Sequence, residues 1–134
     1  MNIHEEKFIR SFVRKEKQGR YLEFLPSEKN RWKVTSRFDH SDDFDTALAI
    51  QIPPAQQKPD VIVTILRDAG AGELCWILSS NDDIDGKEMP LEFALREHLF
   101  REGTFFSCIP GELVLYSGED INAIWVFKNR RGAT

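Results

Sequence analysis

Four oxygen-bearing side chains in residues 81–92 (NDDIDGKEMPLE) have the spacing of a calcium-binding loop. The candidate ligands are Asn81, Asp83, Asp85 and Glu92. In such loops, carboxylate and amide oxygens alternate along the chain before a glycine, here Gly86, and a Glu that chelates with both oxygens follows. Ca²⁺ prefers oxygen ligands of this kind, so these residues are the metal-site candidates of the chain.

The sequence around this loop favours a structural role for its acids. Residues 74–78 (LCWIL) indicate a strand where a calcium loop would be preceded by a helix. Glu88 stands at a position that is usually aliphatic, and Pro90 interrupts the second half of the loop. We therefore interpret the segment as an acidic turn that leads into a helix, with calcium binding as the alternative.

A second group of polar residues surrounds His40. The neighbouring acids are Asp39, Asp42, Asp43 and Asp45. Imidazole and carboxylates together suit a divalent metal. Ligands crowded into so short a segment rarely converge on one ion, however, and a serine followed by acids is typical of a helix N-terminus. Helix capping from Ser41 is the favoured interpretation, and a metal site at His40 is the alternative.

No residue can be assigned a catalytic role from the sequence. Cys108 and His98 would form a nucleophile–base pair if they met, but a cysteine between Phe106 and Ile109 is typical of a buried strand. Motifs for phosphate loops, dinucleotide binding, serine hydrolases and zinc proteases do not occur. The catalytic residues are therefore unknown, no cofactor is predicted, and the interpretation leans towards a protein without catalysis.

Charge is divided unevenly along the chain. Residues 1–40 contain ten Lys or Arg and six Asp or Glu, whereas residues 41–134 contain eight and sixteen, for a net charge of −4 overall. The basic residues of the first part interleave with Tyr21 and Trp32, a composition that suits contacts with phosphates and bases. Nucleic-acid binding through the N-terminal helices is thus one alternative, although the acidic remainder opposes it electrostatically.

Length and composition indicate one domain. A chain of 134 residues is long enough to bury a core without disulfides or structural metals. Its two cysteines, Cys75 and Cys108, lack the spacing of a zinc site or a disulfide framework. The charged N-terminus and the short apolar runs predict neither a secretion signal nor a membrane span. We expect a single domain over residues 1–134 in the cytoplasm, without a membrane partner.

The N-terminal half is predicted to be helical. Within residues 4–16, four apolar residues recur on one helical face: Phe8, Ile9, Phe12 and Val13. Gly19 is expected to break this pattern, and two further helices are expected to begin near Ser27 and at Ser41. Each piece carries few large apolar residues, so we expect them to pack on the rest of the chain.

The C-terminal half is predicted to alternate strands and helices. Residues 60–69 are β-branched, but one apolar helical face, Pro59 at the start and Gly70 at the end favour a helix. The terminal residues NRRGAT are expected to fray. The other predicted elements are a strand at 73–79, a helix at 90–101 and strands at 104–109, 112–117 and 123–128, the last three an antiparallel meander.

These elements predict an α+β fold. A helical N-terminal half packs on a mainly antiparallel sheet of about four strands, of which the last three form the meander. If the strand at 73–79 reaches the strand at 104–109 by a crossover through the intervening helix, those two strands run parallel.

The last three strands have apolar residues on both faces, so each face of the sheet must be covered. Helices on both sides or a second subunit would both satisfy this requirement. The short N-terminal helices also carry long charged faces, so we expect too little apolar helix surface to cover both faces of the sheet. We therefore predict a homodimer, in which a second copy covers the remaining face. Candidates for its interface are Phe105 or Phe106, Tyr116 and Trp125.

The sequence leaves the function unknown and supports three hypotheses. The first is a small cytoplasmic interaction or regulatory protein without catalysis, which would bind itself or another protein. The second is a metal-dependent enzyme or calcium-binding module that uses residues 81–92 or the His40 cluster. The third is nucleic-acid binding through the basic N-terminal helices. The ligand, the partner and the pathway are not specified by the sequence.

Overall fold

A computed structural model describes residues 1–129. The predicted frayed tail, apart from Asn129, lies outside these residues. The helices are α1 (Ile3–Phe12), α2 (Lys15–Phe24), α3 (Trp32–Thr35), α4 (Pro59–Asp68) and α5 (Leu91–His98). The strands are β1 (Ala49–Gln51), β2 (Leu74–Ser79), β3 (Glu88–Pro90), β4 (Thr104–Ile109), β5 (Leu113–Ser117) and β6 (Ile124–Lys128).

Within residues 1–129 the strands form one six-stranded sheet in the order β1-β6-β5-β4-β2-β3, and every neighbouring pair is antiparallel. The α+β class, the meander β4–β6 and the helix α4 are confirmed. The predicted strand number of about four is too low, because β1 and β3 were missed. Each of these edge strands has three residues, which is too short to leave a recognisable alternation in the sequence.

Strands β2 and β4 are antiparallel, so the conditional prediction of a crossover is wrong. The reason lies in β3, which runs back alongside β2 and returns the chain to the end of the sheet where β2 began. Helix α5 then carries the chain to the opposite end, where Thr104 of β4 pairs with Ser79 of β2. Because β3 was not predicted from the sequence, this reversal of chain direction was not predicted either.

The N-terminal helix ends earlier than its apolar pattern predicts. Val13 is extended and forms a bridge with Phe44, and the N–H of Arg14 donates to the carbonyl of Asp43 at 2.9 Å. These tertiary hydrogen bonds replace helical ones, so the break falls between α1 and α2. The prediction of a break at Gly19 is wrong, because Gly19 lies inside α2.

The predicted helix from Ser41 does not form. Residues Ser41–Asp43 and Thr46–Leu48 are two short 3₁₀ turns, and the chain then enters β1. Ile50 pairs with Val126 of β6, so the backbone of this segment is extended and part of the sheet, and it cannot continue a helix. The N-terminal half therefore contributes a strand to the sheet as well as helices.

Helices of the same chain lie on both faces of the sheet. One face packs against α4 and α5, through apolar residues that include Ile62, Leu66, Leu95, Phe106 and Leu115. The other face packs against the α1–α3 region, through residues that include Phe8, Phe12, Tyr21, Phe38, Phe44 and Phe105. Among residues 1–129, no helix has the length and apolar character needed to cross a bilayer.

Candidate functional site

A row of side chains crosses five strands on the α1–α3 face of the sheet. Leu78 is paired with Phe105, Phe105 with Tyr116, and Tyr116 with Trp125. Trp125 is paired in turn with Gln51 on the edge strand β1. Directly paired residues of antiparallel strands project to the same side, so the row from Leu78 to Trp125 presents a continuous apolar surface with aromatic rings at its centre.

The helical layer covers only part of this row. Phe8, Phe38 and Phe44 pack on Phe105, with ring centroids 4.7, 5.1 and 5.0 Å from its ring. Tyr116 and Trp125 lie beyond these rings and are only partly buried. They form the floor of an open cleft with a volume of about 680 Å³, a size typical of small-ligand sites.

The walls of this cleft are acidic. Four carboxylates line it: Asp39, Glu102, Glu119 and Asp120. No Lys, Arg or His belongs to the lining that the structure describes. The remaining walls are mostly aromatic and small polar residues, including Phe38, Phe44, Phe105, Phe127, Ser36, Thr46 and Asn122. We refer to this site as the acidic cleft.

A tight turn between β5 and β6 positions two of these carboxylates. The N–H of Gly118 donates to the carbonyl of Ala123 at 2.9 Å, and the N–H of Asn122 donates to Oδ1 of Asp120 at 2.7 Å. A Cβ atom at position 118 would lie 2.9 Å from Cβ of Ala123, so only glycine allows this close approach. The turn holds Glu119 and Asp120 at the mouth of the cleft.

The segment that contains Asp39 is fixed by an ion pair whose carboxylate is buried. Nε and Nη2 of Arg37 donate to the two carboxylate oxygens of Asp43, each at 2.9 Å, and the hydroxyl of Tyr21 donates to the same carboxylate at 2.8 Å. Burial by itself would raise the pKa of Asp43, but the hydrogen bonds from Arg37 and Tyr21 outweigh it and lower that pKa. Arg37 is thus engaged mainly by Asp43, and the charge of Asp39 acts on it more weakly.

The cleft has a negative electrostatic field. The pKa of Tyr116 is raised to about 12, first by burial and then by the charges of Asp39 and Glu119. These two carboxylates come from separate segments of the chain, and both act on the same hydroxyl group. Within the part of the chain that the structure describes, the Tyr116 hydroxyl has no hydrogen-bond partner and is available to a ligand.

Three of the four predicted calcium-loop side chains, those of Asn81, Asp85 and Glu92, are engaged by the protein itself. Asp85 accepts hydrogen bonds from Nε of Arg31 at 2.6 Å, from Nη2 of Arg31 at 3.1 Å and from the N–H of Ser79 at 2.9 Å. Oδ1 of Asn81 accepts from the N–H of Asp83 at 3.0 Å. Asp83 itself is exposed.

Glu92, the predicted last ligand, lies on α5 and pairs with Arg67 of α4 at 3.2 Å. Within residues 1–129, no group of three or more His, Cys, Asp or Glu side chains is placed to hold a metal ion.

Arg31 is a partly buried hub that the sequence did not reveal. Besides Asp85, its guanidinium donates to both oxygens of Glu5 at 2.8 and 2.9 Å. Nε1 of Trp76 donates to the same Glu5 carboxylate at 2.9 Å. The hub therefore ties α1 to the 81–86 loop and to β2. Its partners are 26 and 54 residues from Arg31, a separation at which no local motif can signal the contact.

Other residues singled out from the sequence are not brought together. His40 contacts Asp39 at 3.6 Å on the surface, whereas Asp43 is buried with Arg37. Cys108 contacts the carbonyl of Phe106, and no hydrogen bond joins it to His98 in the described residues. Burial raises the pKa of the Cys108 thiol to about 12, which disfavours the nucleophilic thiolate.

A second, shallower depression lies on the α2–α3 surface, with a volume of about 380 Å³. It is lined by Arg20, Phe24, Trp32, Lys33, Ser36 and Arg37, and we call it the basic groove. The guanidinium carbon of Arg20 and Nζ of Lys33 lie 5.1 and 5.0 Å from the ring centroid of Phe24. Cations at this distance are attracted by the negative face of an aromatic ring.

The chain matches no protein-family model, no curated protein and no solved structure.

Proposed function

We propose that this protein is a non-catalytic binding domain whose acidic cleft takes a cationic organic group. The observation that carries the proposal is the composition of the cleft, where four carboxylates surround an aromatic floor without a basic residue in the described lining. The proposal adds a class of ligand to the hypothesis of a non-catalytic interaction protein that the sequence suggests.

An ammonium or guanidinium group on an apolar stem suits this arrangement chemically. Tyr116 and Trp125 offer ring faces that attract cations, with a contribution of about 0.5–2 kcal/mol for each contact, depending on how far the cation is desolvated. Carboxylates at the mouth raise the local concentration of cations and speed their association. The apolar stem would cover the part of the floor that the helices leave open.

A bare metal ion suits the cleft less well. Ca²⁺ and Mg²⁺ need several oxygen atoms converging within about 2.0–2.6 Å of the ion. The four carboxylates come from three separate segments around a wide opening: Asp39 before the first 3₁₀ turn, Glu102 before β4, and Glu119 with Asp120 after β5. The space between them is lined by rings.

The direct test compares a cation with its uncharged isostere. We expect millimolar choline and agmatine to raise the melting temperature and change Trp fluorescence, because a ligand that binds only the folded state stabilises it. The neutral isostere of choline, 3,3-dimethylbutanol, should do neither. Equal stabilisation by the neutral compound, or no response to any cation at a dilution where the protein is monomeric, would contradict the proposal.

Variants locate the response in the cleft. The double variant Asp39→Asn with Glu119→Gln should lose most of the cation response, since both residues are exposed and can be neutralised without disturbing the core. Glu112→Gln is the matched control, because Glu112 is exposed and precedes β5 at the end opposite the cleft. A response retained in the double variant, or lost in the control, would place binding elsewhere.

We also propose a cytoplasmic location. Both cysteines are buried and unpaired, a state that a reducing compartment maintains. A fluorescent fusion imaged in cells tests this directly, and accumulation in an oxidising compartment would contradict it.

A further inference from the structure

The basic groove and the acidic cleft are neighbours on the surface. Ser36, an exposed residue directly after α3, lines both of them. On one side of Ser36 lie the carboxylates of the cleft. On the other side lie Arg20, Lys33 and the indole of Trp32. The acidic cleft therefore lies directly beside the basic groove, and both are lined in part by aromatic rings.

The groove has features of a contact surface. Trp32 is 60% exposed, the largest exposure among the aromatic side chains of the described residues. Arg20 and Lys33 have no acidic partner within residues 1–129, and their contacts are to the ring of Phe24. Tryptophan and arginine are the residues that most often dominate the free energy of protein–protein binding when they become buried.

We propose that a second copy of this chain supplies the cationic occupant of the acidic cleft, through the side chains that line its basic groove. This inference rests on the proposed function, because it names the partner that supplies the cation. The charges are complementary: four carboxylates line the cleft, whereas the groove offers Arg20 and Lys33, its two basic residues that are not paired with an acid in the described residues. Complementary potentials of this kind select a partner and fix its orientation.

The shared residue makes a closed dimer geometrically reasonable. A two-fold axis that passes near Ser36 exchanges the surfaces on its two sides, so the groove of each copy faces the cleft of the other. The same patch then serves both copies, as in an isologous interface, and no surface is left for further addition. Two equivalent contacts form in one dimer.

Burial of Trp32 supplies the apolar part of this contact. Its indole would join Tyr116 and Trp125 on the open floor, while Lys33 and Arg20 meet the carboxylates at the rim. Rim charges in water are screened over about 8–10 Å at ordinary ionic strength. The dimer should therefore weaken as salt is raised, without being abolished by it.

Charge reversal tests the interface in solution by sedimentation velocity, from about 100 μM downwards in a tenfold dilution series. The parent should be dimeric. Lys33→Glu should be monomeric because it sets carboxylate against carboxylate in both contacts, and Glu119→Lys should be monomeric because it sets cation against cation. Lys58→Glu is the control, since Lys58 is exposed beside α4 in the opposite layer, and it should remain dimeric.

Mixing the two reversed variants gives the sharpest result. In the mixed dimer, the unchanged groove of the Glu119→Lys copy meets the unchanged cleft of the Lys33→Glu copy. The other contact joins the reversed groove to the reversed cleft. Opposite charges therefore meet in both contacts. Equimolar Lys33→Glu and Glu119→Lys should therefore sediment as a dimer although each alone is a monomer. This recovery also shows that both variants are folded. A mixture that stays monomeric, or single variants that stay dimeric, would overturn the inference.

Two outcomes separate this inference from the proposed function. A parent that is monomeric at every concentration but responds to choline keeps the cation-binding cleft and overturns the dimer. A monomeric parent that binds a dT oligonucleotide, with binding lost in Trp32→Ala, assigns the basic groove to single-stranded nucleic acid and likewise overturns the dimer.

Discussion

Arg31 is the residue on which three separate parts of the chain converge. Its guanidinium is the counter-charge for Glu5, whose side chain is 5% exposed, and for Asp85. Burying a carboxylate without a partner costs much free energy. Removal of the arginine should therefore lower the free energy of unfolding far more than the loss of an ordinary surface pair does.

We predict that Arg31→Met lowers the free energy of unfolding by about 3–5 kcal/mol, the usual consequence of breaking a buried pair from one side. Arg10→Met is the matched control, because Arg10 and Glu6 form an exposed pair worth about 0.5 kcal/mol or less. Urea denaturation measures both values. Similar costs for the two variants would show that the hub contributes no more than a surface pair.

Asp43 makes stability depend on acid. Its pKa is lower in the folded protein than the ordinary value of 3.8, so in acid the unfolded chain binds more protons than the folded one. The contribution of Asp43 is therefore complete above the unfolded pKa and is lost as the pH falls through the folded pKa.

We expect Asp43→Asn to be less stable than the parent at neutral pH, with the difference shrinking as the pH falls below about 4, near the unfolded pKa. Urea midpoints for both proteins between about pH 7 and 2.5 measure this difference. A gap that stays constant over the whole range would contradict the assignment.

At the scale of elements, two glycines have opposite roles. Gly111, in the turn between β4 and β5, has φ +71°, and a Cβ there would lie 3.0 Å from both Cβ of Lys7 and Oγ of Ser11. Gly19, by contrast, lies inside α2, and a Cβ there would have no heavy atom within 4 Å.

We predict that Gly111→Ala destabilises the protein by about 1–2 kcal/mol or more, because it adds left-handed strain to a steric clash. Gly19→Ala should instead stabilise it by about 0.5–1 kcal/mol, because alanine favours the helix and reduces the entropy of the unfolded chain. Thermal and urea unfolding of the two variants measure these changes in stability. If both variants were stabilised, or both destabilised, the roles assigned to the two glycines would be wrong.

Elements were predictable from the sequence where the local pattern is long. Helix α4 follows from its apolar face and from Pro59 and Gly70 at its ends, and β4–β6 follow from apolar runs separated by turn residues. The break between α1 and α2 was not predictable, because hydrogen bonds to residues 43–45 create it. Contacts across thirty residues leave no periodic trace.

The candidate site was predictable only in part. Tyr116 and Trp125 stand out in the sequence because their strands are apolar on both faces. Which face stays open depends on where the helical layer ends above β5 and β6. The acids of the rim come from distant segments, so only the folded chain shows that Asp39 and Glu119 face the same ring.

At the scale of the whole molecule, two apolar clusters share one sheet. Phe105 and Phe106 are adjacent in β4 and fully or almost fully buried, yet they belong to clusters on opposite faces. A perturbation of either cluster therefore acts on the same strand. This arrangement predicts that the chain unfolds as a single cooperative unit.

We predict that Phe105→Ala and Phe106→Ala each lower the free energy of unfolding by about 3–5 kcal/mol. Both variants should keep one transition that coincides when followed by far-UV circular dichroism and by Trp fluorescence. Two separated transitions, or a variant in which one probe moves and the other does not, would indicate that the clusters unfold independently.

The two outermost strands have a consequence for how this molecule meets other chains. Exposed strand edges offer unpaired N–H and carbonyl groups, and these act as a template for foreign strands and for fibre growth. Here β1 and β3 are three residues long, and β3 ends at Pro90, which has no N–H to donate. The protein is thereby guarded against polymerisation through its backbone, and recognition is left to side chains.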